Sequence, residues 1–190
     1  MRLQTQMFIP LLACIAACLL QTPVAAQTKP VYLRSTCYKV NAGAGPEFEK
    51  LQADTIQKLA QYRIKEGAVL RYALSRAVLP GGEQSECDYL MSFTYPGFPA
   101  ELVPANTAKY LKAGGAAISY DAYVAKSRSL AKTVATRIFV VRANAGTVPA
   151  GAYFHVNRMK IKNMQEWLKL EREIWKPVQE ARIADGQMSG

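Results

Sequence analysis

Glu47-Phe48-Glu49-Lys50-Leu51, closing at Arg63-Ile64-Lys65-Glu66-Gly67, and Glu166-Trp167-Leu168-Lys169-Leu170, closing at Arg182-Ile183-Ala184-Asp185-Gly186, are two versions of one stretch set 119 positions apart. Glu47, Lys50, Leu51, Arg63, Ile64 and Gly67 recur unchanged, and Phe48 meets Trp167, Asp54 meets Glu173 and Glu66 meets Asp185. A repeat at about a domain's spacing means one folding unit used twice in one chain.

Around the first copy the pattern predicts a complete unit over residues 31–143. Val31 to Asn41 is rich in aromatic and β-branched residues and reads as a strand. Ala42-Gly43-Ala44-Gly45 is a turn, and Pro46 suits the first turn of a helix. Phe48, Leu51, Thr55, Leu59 and Tyr62 recur at helical steps, and Gly67 ends the helix. A second strand is expected over Ala68 to Val78, a loop at Pro80-Gly81-Gly82, and a third strand over Asp88 to Tyr95. Prolines 96, 99 and 104 break the chain before a short helix over Ala105 to Lys112. A longer helix follows over Ser119 to Lys132, with Tyr120, Tyr123, Val124, Ser127 and Leu130 on one face. A fourth strand is expected over Arg137 to Ala143.

This order is that of the ferredoxin-like βαββαβ unit, an α+β fold with an antiparallel sheet and its helices on one face. The other sheet face needs a cover, since a soluble monomer rarely exposes such an area. Residues 152–190 read as the start of a second unit. After the linker Asn144 to Gly151, a fifth strand is expected over Tyr153 to Ile161. A helix capped by Asn163 follows, with Met164, Trp167, Leu168, Ile174, Trp175, Val178 and Ala181 buried. Pro177 should bend this helix, either aiming Trp175 and Lys176 at a ligand or curving it around its sheet with Trp175 in the core. The second unit is incomplete, so the expectation is a fragment, or a partner subunit that supplies the cover.

Residues 1–26 read as a signal peptide. Arg2 precedes an apolar run from Met7 to Leu20, and Val24-Ala25-Ala26 supplies small residues before Gln27. The run is shorter than the roughly 20 residues a membrane span needs. The expectation is an exported, periplasmic or extracellular protein without stable membrane insertion after cleavage. A lipid anchor on Cys18 is the weaker alternative. The formal charge of +10 is spread along the chain with no run of five basic residues, and nucleic acid is not an expected partner. Cys37 and Cys87 survive cleavage; if their strands were parallel neighbours, the cysteines would sit at opposite ends and stay unbridged.

Candidate chemistry is sparse. His155 is the sole histidine, which excludes ordinary zinc sites, and no Gly-x-Ser-x-Gly elbow or phosphate-binding loop occurs. On the fifth strand His155 shares a face with Tyr153 and Asn157, and by alignment it stands where Arg34 stands in the first copy. Arg34, Tyr38, Tyr153, His155 and Asn157 are therefore the candidate ligand-binding set, expected to line a space between two sheets. His155 is a candidate general base or haem ligand, or else a histidine bonded to a neighbour at a sheet end. Arg63 and Arg182 complement the ends of their helices and need no ligand.

Lys160-Ile161, Trp167-Leu168-Lys169-Leu170-Glu171, Trp175-Lys176-Pro177-Val178 and Arg182-Ile183-Ala184-Asp185-Gly186 together resemble a group of exported bacterial proteins of the dimeric α/β-barrel superfamily. The resemblance implies two ferredoxin-like units packed sheet to sheet. That superfamily includes small monooxygenases, haem-binding enzymes and stress-induced binding proteins, so fold does not select among activities. Three functions stay open: holding a small apolar or aromatic ligand with no cofactor; a cofactor-free monooxygenase-like or haem-binding enzyme; and a homo-oligomer assembled through the sheet face.

Overall fold

The computed structural model describes residues 29–79, 85–100, 103–142, 149, 151–154, 156 and 159–188. Four strands form one antiparallel sheet: β1 (Tyr32–Val40), β2 (Arg71–Arg76), β3 (Tyr89–Tyr95) and β4 (Ala131–Val140), in the order β2-β3-β1-β4. Helix α1 connects β1 to β2. It runs over Gly45–Gln52, widens into a π turn over Ala53–Gln57 and resumes over Lys58–Lys65. Between β3 and β4 lie α2 (Pro104–Ala113) and α3 (Tyr120–Leu130). This is the ferredoxin-like α+β fold, with α2 as an addition.

Alternation along the strands sorts the two faces. Tyr89, Met91, Phe93 and Tyr95 of β3 are buried, and their partners across the ladder are Tyr38, Thr36, Arg34 and Tyr32 of β1. These face the helices. Phe48 of α1 is fully buried among them, with its ring 5.2 Å from both Tyr38 and Tyr89. Ile56, Leu59 and Ala60 of α1, Leu111 of α2, and Tyr123 and Leu130 of α3 complete the layer. At Gly114 a Cβ would stand 3.0 Å from the Lys58 carbonyl oxygen, so only glycine lets the end of α2 approach α1 this closely.

The opposite sheet face is open. Ladder register places Leu33, Ser35 and Cys37 there beside Leu90, Ser92 and Thr94, flanked by Phe139, Arg137 and Ala135 of β4. Cys37 is bridged to Cys87, with Cα atoms 5.3 Å apart, a pairing that the sequence leaves open. The reason is strand direction: β1 and β3 are antiparallel, so the end of β1 meets the start of β3. Lys39 donates to Asp88 Oδ1 at 3.0 Å, and the Val40 amide donates to Asp88 Oδ2 at 2.8 Å, pinning the same corner.

Several boundaries move. The fourth strand starts at Ala131, six positions earlier than expected, because Thr133, Val134 and Thr136 are β-branched and α3 passes into β4 without a loop. The buried stripe of α1 includes Gln52, Ile56, Ala60 and Arg63. The π turn inserts a residue and rotates the helix face, so ideal 3.6-residue spacing assigns the stripe only in part.

The later of the two similar stretches, around Glu166 to Gly186, forms a helix, α4. It runs over Met164–Leu170, a π turn over Glu171–Trp175, then Lys176–Ala184. Asn163 caps it: its side-chain oxygen accepts from the Glu166 amide at 3.2 Å. The π turn accommodates Pro177, which carries no N–H to give. Both copies end alike. Gly67 donates to Ile64 and Ala68 to Arg63; Gly186 donates to Ile183 and Gln187 to Arg182. Gly67 and Gly186 have φ of +70° and +71°, the left-handed conformation that this cap requires.

α4 differs from α1 in burial. None of its residues is buried, and Ile174, Trp175 and Val178 are exposed, which corrects the buried stripe expected for it. The described residues of the expected fifth strand, among them Tyr153, Phe154, Val156 and Met159 to Ile161, are not in a strand.

Two outcomes are expected. Phe48→Ala should cost about 3–5 kcal/mol in urea denaturation, as for a buried aromatic, whereas Trp175→Ala should stay within about 0.5 kcal/mol. Replacing Cys37 and Cys87 together by serine frees a 50-residue loop and should cost about 2–4 kcal/mol in the same experiment.

Candidate functional site

A cavity of about 650 Å³ lies between the sheet and the helices. Its apolar wall is Ile56, Leu59, Met91, Phe93 and Val124. Its polar wall is Arg34 and Tyr38 from β1, with Tyr120, Tyr123 and Ser127 from α3. Arg128 and Lys132 stand at the exposed end. The period of two on β1 projects Arg34 and Tyr38 to the same side, and α3 carries Tyr120, Tyr123, Val124 and Ser127 one helical turn apart.

The expected set therefore divides. Arg34 and Tyr38 line this cavity, on the helix-covered face rather than between two sheets, because their ladder partners Phe93 and Tyr89 are core residues. Tyr153 is 87 % exposed and lies outside the cavity lining. His155 and Asn157 lie outside the described residues. Residues that sequence reasoning missed are Tyr123, Gln52, Ser127, Arg128 and Lys132. A signal for three of them existed: Gln52, Tyr123 and Ser127 are polar groups on helix faces that otherwise carry core residues.

Tyr38 and Tyr123 lie close together in this layer, and the Tyr123 hydroxyl donates to Gln52 Oε1 at 3.1 Å. Burial, above all, raises the Tyr38 and Tyr123 phenols well beyond their ordinary range, so both stay protonated as neutral donors. Tyr72 is raised by burial in the same way. Tyr89, at the layer's edge, is pushed up to about 12, first by desolvation and then by donating to Glu49 at 2.7 Å.

Arg34, half-buried, is placed differently from the buried Arg63. Arg63 has Glu66 at 3.0 Å and lies 3.8 Å from the centre of the Tyr110 ring. Arg34 Nε is buried and meets no hydrogen-bond acceptor. Among the described residues, no three histidine, cysteine or acidic side chains cluster to hold a metal, and no helix is long and apolar enough to cross a membrane.

Fold and cavity define a ferredoxin-like α+β chain with a basic, tyrosine-lined pocket. No protein-family model and no curated protein matches the sequence. Among solved structures, SnoaB, a cofactor-independent oxygenase from Streptomyces nogalater, is similar with a TM-score of 0.38 at 15 % identity, covering 61 % of this chain and 96 % of that one. A candidate chlorite dismutase is similar with a TM-score of 0.33 at 10 % identity, covering 58 % of this chain and 43 % of that one. The chain thus spans under half the length of the second protein, and both are likenesses of fold alone.

The tyrosines give a pH test. A phenol whose pKa is raised on folding favours the folded state below its unfolded value near 10, and that contribution is lost as pH rises above it. Absorbance of tyrosinate at about pH 11 should therefore be lower in the native chain than in the denatured one, and stability should fall above about pH 10.

Proposed function

We propose that the chain binds a small aromatic or apolar molecule in the cavity between its sheet and helices. The observation that carries this reading is the half-open cavity itself: an arginine and tyrosines set among apolar side chains, at a volume within the range of small-ligand sites. Neutral tyrosine donors and one cation suit orientation of a bound molecule. Among the described residues, the lining holds no carboxylate or histidine to act as a general base, which favours binding over proton abstraction.

Catalysis of the cofactor-free oxygenase kind would draw on the same wall, with donors stabilising an oxyanion of the substrate. A haem reading would rest on His155. An assembly role would use the open sheet face, where serine, threonine and alanine separate Leu33, Leu90 and Phe139. Export remains part of the proposal. The leader-like residues 1–26 support it, and so does a disulfide, which persists in oxidising compartments.

Fluorescence titration with 2-naphthamide tests the pocket. The wild-type chain should bind it. Val124→Trp, which fills the cavity from α3, should weaken binding at least about tenfold, equivalent to about 1.4 kcal/mol, without lowering the fraction folded. Equal binding by both proteins overturns the assignment of the site.

A further inference from the structure

We infer that the molecule held in this pocket is an anion, an aromatic carboxylate whose charged oxygens sit on the Arg34 guanidinium. The inference rests on the pocket reading above and adds the charge of its occupant.

Three observations carry it. First, Arg34 Nε is buried without an acceptor. The rest of the half-buried guanidinium has no carboxylate beside it among the described residues. A carboxylate in the cavity would meet the Nη groups of the planar fork and accept charge-assisted hydrogen bonds from them.

Second, the lining is of one sign. Arg34 and Arg128 contribute to the cavity, Lys132 only borders it because its register with Lys39 turns it to the other sheet face, and no aspartate or glutamate among the described residues lines it. Elsewhere on the chain cations meet acids: Lys39 with Asp88, Lys126 with Glu47, Arg137 with Glu86 and Lys176 with Glu180. Clefts of a single sign focus the field and raise the local concentration of the opposite charge. Arg128 is exposed at the cavity's edge, where it attracts an anion inward, while Arg34 is less exposed.

Third, the neighbouring hydroxyls do not supply the missing counter-charge. Tyr123 is tied to Gln52, and Tyr38 beside it is a buried neutral phenol. The apolar wall of Ile56, Leu59, Met91 and Phe93 faces this polar end, so an amphipathic molecule with a flat apolar body and one carboxylate satisfies both walls.

The test compares 2-naphthoate with 2-naphthamide, which share a body and differ in charge. Wild-type protein should bind the acid at least tenfold more tightly. Arg34→Met should remove that preference, bringing the affinities for acid and amide together, and Arg34→Lys should keep part of it. Added salt should weaken the acid only. Equal affinity for the two compounds, or tighter binding of the amide, overturns the anion inference and leaves the pocket reading standing. A preference for the acid that survives Arg34→Met, or acid binding indifferent to Val124→Trp, overturns the placement on Arg34. Failure of both compounds to bind the wild-type chain overturns the pocket reading and this inference with it. The comparison on wild-type protein decides the charge question even if Arg34→Met does not fold.

Discussion

The alternation of β1 is the constraint on which the rest depends. β1 lies between β3 and β4, so every second side chain is committed to the helix layer and every other one to the open face. Tyr38, one residue past Cys37, goes to the core, and Cys37 goes to the corner closed by Cys87. A slip of one position would carry Arg34 and Tyr38 out of the pocket and bring Leu33 and Ser35 into it. The disulfide and the Lys39–Asp88 pair hold that register at one end of the strand, close to the pocket they never touch.

A polar wall inside a small core carries a cost elsewhere. Gln52 is fully buried and Thr55 nearly so, on a helix face where leucine would pack more simply. Gln52 accepts from Tyr123, which lies close to Tyr38. The apolar cluster of Phe48, Tyr89, Met91 and Tyr95 secures the layer independently of these groups. The chain thus separates a rigid aromatic end from a polar end that is open to solvent.

The fold was legible because its punctuation is local. Pro46, Gly67, Pro104 and Asn163 act through their own backbone, and the strand–helix order follows from them. The pocket was half legible. Arg34 and Tyr38 were identifiable as polar groups on an apolar strand, but their side was not, since period two gives two faces without naming either. The sheet order decides which face meets helices. Tyr123 and Gln52 were hidden for another reason: the π turn shifts the stripe of α1, and the hydrogen bond joining the two spans 71 positions. The disulfide was not legible because it depends on strand direction, which brings the end of β1 to the start of β3.

The duplicated helix has a consequence for how the chain reaches its fold. α1 and α4 share a closing cap and a widened turn, so each is a rival for the same seat on the sheet. Bulk separates them. The alignment sets Trp175 against Ile56 and Trp167 against Phe48, positions where the native layer leaves 5 % and 0 % exposure. Two indoles forced into those spaces would overfill the layer. The larger side chains at these positions of α4 do not fit the space that α1 fills beside the sheet.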